Sequence, residues 1–259
     1  MPSPSPIGVF DSGIGGLSVL KALRAELPHE DFAYFADTGH APYGERGDAY
    51  VAERSRAIAR QLLEQHRIKA LVVACNTATA AAIHLLRADH PALPLVGVEP
   101  ALKPAVALSR TKRVGVLATR GTLASAKFRA LHESLKDQAE FALQPCDGLA
   151  AAIEADDAIK IVALCSQYTR AAGPFGTQSG RIDTLVLGCT HYPFAWRHFI
   201  DLVGPEVRLV ETGEPIARQT RRLLDAAGLL KPEGEGRIRL LTTGSLPALE
   251  SAAARWLGL

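Results

Sequence analysis

The sequence predicts an α/β protein of two pseudo-symmetric domains, each a mainly parallel sheet flanked by helices. Short apolar, β-branched runs alternate along the chain with segments of helical apolar spacing. Two strand-and-turn patterns recur, in the same order and at nearly the same offset, in the two halves. Polar residues and cysteines follow several of the apolar runs, at the sheet edge where open α/β sheets bind ligands. We therefore expect the active site in the cleft between the domains.

The first half of the chain alternates strands with helices. The predicted strands are Ile7–Phe10, Asp31–Ala36, Leu71–Ala74 and Leu95–Val98. The predicted helices are Leu17–Leu27, which Pro28 ends, Ala49–His66 and Thr79–Leu86.

The second half repeats part of this pattern. Val114–Leu117 resembles the first predicted strand, and Leu185–Cys189 resembles Leu71–Cys75. A strand over Val207–Val210, a helix over Glu214–Ala227, a strand over Arg237–Leu241 and a helix over Leu246–Leu257 follow. The last elements exceed what a second unit needs, so we expect them to complete the first. The predicted domains are residues 1–97 with 213–259, and residues 98–212.

Composition narrows the functional class. The 259 residues carry 29 basic and 27 acidic side chains spread along the chain, which argues against a nucleic-acid-binding face. No apolar run is long enough for a membrane span. Met1–Pro6 lacks the basic and apolar regions of a signal peptide and is predicted to be an extended lead-in. We expect a cytoplasmic protein without nucleic-acid or membrane partners.

Two of the four cysteines are candidate catalytic residues. Four scattered cysteines do not form a disulfide scaffold. Cys75 and Cys189 each follow an apolar strand and precede a helical segment, and a helix N-terminus stabilises a thiolate. The alternative is that both are small core residues, but matched positions in matched units favour chemistry.

Neighbouring residues suggest proton transfer. His191 stands two residues after Cys189, and Asp11 ends the first predicted strand, so each could assist one thiol. The competing interpretation is a zinc site formed by Cys75, Cys189 and His191. Paired C-x-x-C spacing and a second histidine at ligand spacing are missing, so we predict no bound metal.

Polar groups suited to a small charged ligand lie beside these residues. The glycine-rich turn 11–16 fits neither a dinucleotide fingerprint nor a P-loop, and it could bring backbone N–H groups close to a carboxylate. The candidate ligand-binding groups are Ser12, Asn76, Thr77, Thr122, Thr190 and the turn Pro42–Gly44. Each could alternatively be a helix cap.

Five segments together resemble the glutamate racemase family. They are Phe-Asp-Ser-Gly-Ile-Gly-Gly-Leu (10–17), Ala-Asp-Thr with Pro-Tyr-Gly (36–44), Ala-Cys-Asn-Thr-Ala-Thr (74–79), Val-Glu-Pro-Ala with Lys-Pro-Ala (98–105) and Leu-Gly-Cys-Thr-His-Tyr-Pro (187–193). The resemblance runs from about residue 7 to 245 in the family's order.

The resemblance implies an isomerase that needs no cofactor and interconverts L- and D-glutamate with two bases, supplying D-glutamate for peptidoglycan synthesis. It places the catalytic thiols on Cys75, which deprotonates the D enantiomer, and Cys189, which deprotonates the L enantiomer. Asp11 and His191 are implied to assist them. The implied substrate contacts are Asp11, Ser12, Tyr43, Gly44, Asn76, Thr77, Thr122, Thr190 and His191, with Asp37 and Glu154 as auxiliary acidic residues. Related racemases are often dimers, which makes a homodimer a candidate assembly.

The sequence departs from the family pattern at Ala126 and Phe128, and residues 145–154 match only loosely. The stretch Ala171–Gly180 is predicted to be an extended loop. Two alternative functions stay open at this point. One is an aspartate or related racemase of the same superfamily, and the other is a two-lobed small-molecule binding protein.

Overall fold

The computed structural model describes residues 5–258, so the first four residues of the predicted lead-in lie outside the described residues. The chain divides into two compact units. One comprises the chain up to Val98 together with the chain from Gly213 onward, and the other is Glu99–Thr212. No helix among residues 5–258 is long and apolar enough to cross a membrane.

The first unit contains strands β1 to β4 and β9, numbered in chain order. The strands are β1 (Ile7–Asp11), β2 (Phe32–Ala36), β3 (Ala70–Val73), β4 (Leu95–Gly97) and β9 (Ile238–Thr242). The helices are α1 (Leu17–Glu26), α2 (Asp48–His66), α3 (Asn76–Asp89), α10 (Gly213–Ala226) and α11 (Leu246–Leu257), with 3-10 turns at Thr38–His40 and Tyr43–Glu45.

The second unit contains the remaining elements. Its strands are β5 (Arg113–Ala118), β6 (Glu140–Pro145), β7 (Thr184–Leu187) and β8 (Arg208–Val210). Its helices are α4 (Leu102–Leu108), α5 (Arg120–Ala124), α6 (Ala126–Glu133), α7 (Leu149–Glu154), α8 (Ala158–Ala172) and α9 (Trp196–Val203), with a 3-10 turn at Tyr192–Ala195.

Both sheets are parallel and share one strand order. The first sheet runs β4-β3-β1-β2-β9 and the second β8-β7-β5-β6, so four strands repeat the same permutation. The additional strand, β9, pairs in parallel with β2 from Phe32↔Ile238 to Ala36↔Thr242. The predicted fold class, two pseudo-symmetric α/β domains with mainly parallel sheets, is confirmed.

The central strands form in the sequence's most apolar runs because parallel sheets are covered on both faces. Every residue of β1 and β3 is buried. Helix α1 covers the first sheet with Leu17, Leu20 and Leu23, which recur at helical spacing and are all fully buried. Each such leucine contributes about 1.5–3 kcal/mol to folding by leaving water.

Several boundaries differ from the sequence predictions. Helix α3 begins at Asn76 rather than Thr79, because the Cys75 side chain caps it. Helix α8 continues through Ala172, so the predicted loop at Ala171–Gly180 is wrong at its first two residues; Asp157 caps the start of this helix. Strand β6 and helices α4 to α8 have no counterpart in the sequence predictions.

Candidate active site

Cys75 lies at the carboxyl end of β3 and is the N-cap of α3. Its Sγ accepts a hydrogen bond from the Ala78 backbone N–H at 3.4 Å, and its carbonyl accepts one from Thr79 N at 2.8 Å. The thiol is buried. The first turn of α3 presents backbone N–H groups and positive partial charge at this position, an environment that in general favours a thiolate over a thiol.

Ser12 stands between Cys75 and Asp11. Cys75 Sγ lies 3.6 Å from Ser12 Oγ, and Ser12 Oγ donates to Asp11 Oδ1 at 3.2 Å. The same carboxylate oxygen accepts from Gly13 N at 2.9 Å. Asp11, at the end of β1, is fully buried. At Gly16 a side chain is excluded, because a Cβ would lie 2.6 Å from the Asp11 Cβ.

Asn76 and Thr77 open α3 beside Cys75, and both are buried. Neither the amide oxygen nor the amide nitrogen of Asn76 has a hydrogen-bond partner among the described residues. Leaving a buried polar group unsatisfied costs about 1–3 kcal/mol. A bound polar ligand or an ordered water can satisfy such a group, and the carboxyl edge of a sheet is where ligands bind in open α/β folds.

Asp37 directly follows strand β2 and is hydrogen-bonded to Tyr43. The Tyr43 hydroxyl donates to Asp37 Oδ2 at 2.5 Å, and the Arg54 guanidinium donates to both carboxylate oxygens. Burial would raise the pKa of Asp37, but hydrogen bonds from Arg54, Tyr43 and Thr243 outweigh it and lower the pKa. Gly44 lies in the same 3-10 turn as Tyr43.

Cys189 follows β7 in the second unit and is buried. A 3-10 turn, Tyr192–Ala195, separates it from α9, and the Cys189 carbonyl accepts from Tyr192 N at 3.0 Å. Cys189 thus precedes a 3-10 turn that leads into α9, whereas an α-helix begins directly after Cys75. Tyr192, the first residue of this turn, is fully buried in the second unit's core.

His191 links Cys189 to Glu154. Its Nδ1 lies 3.7 Å from Cys189 Sγ, and its Nε2 lies 2.6 Å from Glu154 Oε2. Burial disfavours the imidazolium, but hydrogen bonds and charge interactions with Cys189 and Glu154 outweigh burial and raise the pKa of His191 well above its ordinary value. Glu154 ends α7, a helix that the loose match at residues 145–154 did not reveal.

The remaining predicted contacts of the second unit are also buried. Thr122 lies in the first turn of α5, where its backbone N–H and its Oγ1 both bond to Thr119 Oγ1. Thr190 sits between Cys189 and His191 in the chain. Both lie on turns that follow strands β5 and β7, which are paired neighbours in the second sheet.

The other two cysteines have different surroundings. Burial raises the pKa of Cys165 to about 12. Burial also raises the pKa of Cys146, with a smaller contribution from Cys189. Both are core residues of the second unit, and all four cysteines are free thiols. Residues 5–258 contain no group of three or more His, Cys, Asp and Glu side chains placed to hold a metal ion.

Comparison with known proteins decides the family. Residues 8–220 match the model of the Asp/Glu/hydantoin racemase family. The chain belongs to this family. It is 51% identical to the glutamate racemase of Methylococcus capsulatus over 227 residues, which cover 87% of this chain and 81% of that protein.

Solved structures agree with this assignment. A glutamate racemase isoform from Bacillus anthracis superposes with a TM-score of 0.85 at 33% identity, covering 98% of this chain and 94% of the other. The Escherichia coli glutamate racemase, solved with L-glutamate and an activator, superposes with a TM-score of 0.80 at 31% identity, covering 98% and 92%.

Proposed function

We propose that this protein interconverts L- and D-glutamate, with Cys75 and Cys189 as its two bases. One observation carries the proposal: matched strand ends of two matched sheets each bear a buried thiol with its own polar partners. Family membership and the curated glutamate racemases among its relatives support glutamate as the substrate.

The reaction requires removal of a weakly acidic α-proton from one face of the substrate and donation of a proton to the other. Two thiols meet this requirement when one is a thiolate and the other a thiol, and their roles exchange with direction. Cys75 removes the proton from D-glutamate and Cys189 removes it from L-glutamate. No cofactor takes part, so fixed dipoles and hydrogen bonds of the protein stabilise the carbanionic transition state.

Each unit supplies part of the substrate-binding set. From the first unit we assign Asp11, Ser12, Tyr43, Gly44, Asn76 and Thr77, and from the second Thr122, Thr190 and His191. The unsatisfied amide of Asn76 supports its assignment, because a substrate carboxylate and ammonium group can satisfy the amide nitrogen and oxygen respectively.

Glu154 and His191 assist Cys189. The carboxylate holds the imidazole by Nε2, so that Nδ1 faces the thiol. A protonated His191 stabilises the Cys189 thiolate and shares its proton during transfer. Asp11 is the residue assigned to assist Cys75, which it reaches through the Ser12 hydroxyl.

The proposed cellular role is the supply of D-glutamate for peptidoglycan synthesis, in the cytoplasm. A homodimer is the proposed assembly, which light scattering of the purified protein tests directly. A measured mass of about 28 kDa, close to the 27.6 kDa chain, would contradict it.

The central experiment follows the circular dichroism of L- and D-glutamate with chelated protein and no added cofactor. Racemisation in both directions is expected. Loss of activity on chelation, restored by zinc, would contradict the two-thiol mechanism. Binding of glutamate without α-proton exchange in deuterium oxide would support the binding-protein alternative instead.

Aspartate serves as the substrate control. It lacks one methylene, a difference that changes kcat/KM by about 10–200-fold in a fitted pocket. We expect glutamate to be preferred by a factor in this range. Equal kcat/KM values for the two amino acids would support the broader racemase alternative.

A further inference from the structure

The Asp37 carboxylate, fully buried after β2, is surrounded by hydrogen-bond donors. Its Oδ2 accepts from the Tyr43 hydroxyl at 2.5 Å and from Arg54 Nε at 3.0 Å. Its Oδ1 accepts from Arg54 Nη2 and from Thr243 Oγ1, each at 2.8 Å, and lies 3.0 Å from His40 Nδ1. A carboxylate offers about four acceptor positions, so these donors fill the acceptor capacity of Asp37.

These contacts favour a structural role for Asp37 over the auxiliary acidic role that the resemblance implies. Its donors come from the 3-10 turn Thr38–His40, the 3-10 turn Tyr43–Glu45, helix α2 and the segment after β9. One carboxylate thus ties together four parts of the first unit, two that follow it closely in the chain and two, helix α2 and the segment after β9, that lie farther away in sequence.

Arg54 is the donor that fixes the carboxylate's orientation. It bonds through Nε and Nη2 to the two separate oxygens, which is a bidentate pair. Its side chain is 23% exposed and extends from the middle of α2. A lysine at this position keeps the charge but cannot form the two parallel bonds, so it holds the carboxylate less firmly in its orientation.

Tyr43 connects this ion pair to the proposed site. Its ring is fully buried in the core cluster that also contains Cys75, and it packs edge-on against Phe10 at a centroid distance of 6.4 Å. Its hydroxyl is committed to Asp37. The position of Tyr43, and of Gly44 beside it, thus depends on how Asp37 is held.

We propose that Arg54 is a positioning residue for glutamate binding: through Asp37 it holds Tyr43 and the 3-10 turn Tyr43–Glu45 in their binding geometry on the Cys75 side of the site. Arg54 acts through Asp37 and makes no contact with substrate. The proposal rests on the proposed function, because Tyr43 and Gly44 are substrate contacts only in that context.

The chain offers a matched control on the same helix. Arg56 also forms a bidentate pair, through Nε and Nη2 to Asp89 at 2.7 and 3.0 Å, but both side chains are partly exposed. Arg54→Lys and Arg56→Lys therefore make the same chemical change in two ion pairs. The first pair is hydrogen-bonded to Tyr43 in the proposed site, and the second is not part of that site. Because surface ion pairs contribute little, Arg56→Lys should behave as the parent.

Steady-state kinetics on L- and D-glutamate distinguish positioning from stability. Arg54→Lys should raise KM for both enantiomers about tenfold, the effect expected when a charge-assisted hydrogen bond is lost, with a smaller fall in kcat. A residue needed only for folding would reduce the fraction of active protein, which lowers kcat per total protein and leaves KM unchanged. That second pattern, or an unchanged KM, would overturn the proposal.

Two further variants keep the test decisive if Arg54→Lys folds poorly. Tyr43→Phe removes the hydroxyl and keeps the ring, so it should raise KM by a smaller factor than Arg54→Lys does. In the double variant KM should rise by less than the product of the two single factors. Arg54→Ala should regain part of its affinity with added ethylguanidinium but not with ethylammonium, because only the former restores the fork. Effects of Tyr43→Phe and Arg54→Lys on KM that simply multiply would contradict the proposal. Equal rescue of Arg54→Ala by the two cations would also contradict it. A parent protein that does not racemise glutamate at all would instead contradict the proposed function.

Discussion

The surroundings of Cys75 and Cys189 differ although the two residues occupy matching strand ends. Cys75 caps a 14-residue helix and has a backbone N–H and the Ser12 hydroxyl as partners. Cys189 is followed by a 3-10 turn and has the ion pair of His191 and Glu154. The Cys75 thiol thus contacts a backbone N–H and a hydroxyl group, whereas the Cys189 thiol contacts a titratable ion pair.

This difference separates the two halves of the proposed reaction by their response to pH. Helix dipoles and hydroxyl groups keep their character across the neutral range, whereas an imidazolium loses its charge as the pH rises. Under the proposed function, the two matched thiols are therefore assisted by different physical means, a helix N-terminus with a hydroxyl for Cys75 and an ion pair for Cys189. Variants that act on one side only are the direct way to examine the comparison.

The largest expected effect is loss of either thiol. Cys75→Ser and Cys189→Ser should each lower racemisation by about 10²–10⁴-fold, because an alcohol is a far weaker base than a thiolate near neutral pH. Each variant keeps one working thiol. In deuterium oxide, Cys189→Ser should still exchange the α-proton of D-glutamate with retention, and Cys75→Ser that of L-glutamate, as followed by NMR.

Cys165→Ala is the control for the thiol variants, since Cys165 is a buried core thiol of the second unit. It should racemise glutamate at nearly the parent rate. Parent-like racemisation by either serine variant would refute the two-base mechanism. Equal exchange of both enantiomers by both variants would show that the thiols are not specific for one face.

A smaller effect, confined to the Cys189 side, is expected from the ion pair. His191→Asn should reduce kcat by about 10²-fold, the lower range for loss of an acid–base group. Glu154→Gln should lower kcat by about tenfold, the effect expected when one charge-assisted hydrogen bond to the imidazole is weakened. His198→Asn, at a half-buried histidine of α9, is the matched control and should leave kcat unchanged.

The pH dependence supplies a second measurement. Because the pKa of His191 is raised, the stabilisation that its charge provides is complete below its ordinary pKa and is lost as pH rises through the raised value. Removing the Glu154 charge lowers that value. The alkaline limb of kcat for L-glutamate should therefore move to lower pH in Glu154→Gln, together with the His191 titration seen by NMR. An unchanged limb would show that the pair does not control Cys189.

The strands that end at the proposed catalytic residues could be predicted from the sequence, because their buried apolar runs are strong signals. Strand β6 could not be predicted with equal ease, since it is a partly exposed edge strand. The alternation of Phe141 and Leu143 in it was an available signal. The contact of Glu154 with His191 depends on how α7 packs within the second unit, and no local pattern encodes such packing.

The role of Asp37 illustrates the same limit. The family resemblance suggested an auxiliary acidic group here, and the structure shows a carboxylate that contacts side chains from four segments. A sequence pattern identifies which residues reach a sheet edge. Whether a carboxylate there is free or satisfied depends on partners such as Arg54 and Thr243, which are distant in sequence.

The smallest expected effect is on the Cys75 side. Ser12→Ala removes the hydroxyl between Cys75 and Asp11 but leaves the Ala78 N–H and the helix N-terminus in place. Loss of one neutral hydrogen bond corresponds to about 0.5–1.5 kcal/mol, so exchange of the D-glutamate α-proton should slow by roughly two- to tenfold. The alkaline limb should stay where it is in the parent, because the missing group does not titrate in this range.

Ser18→Ala, which loses a hydroxyl bonded to Gly15 O near the start of α1, is the control and should exchange at the parent rate. A loss as large as that of His191→Asn, or a shifted limb, would show that Ser12 carries the Asp11 charge to the thiol and that the two sides are electrostatically alike.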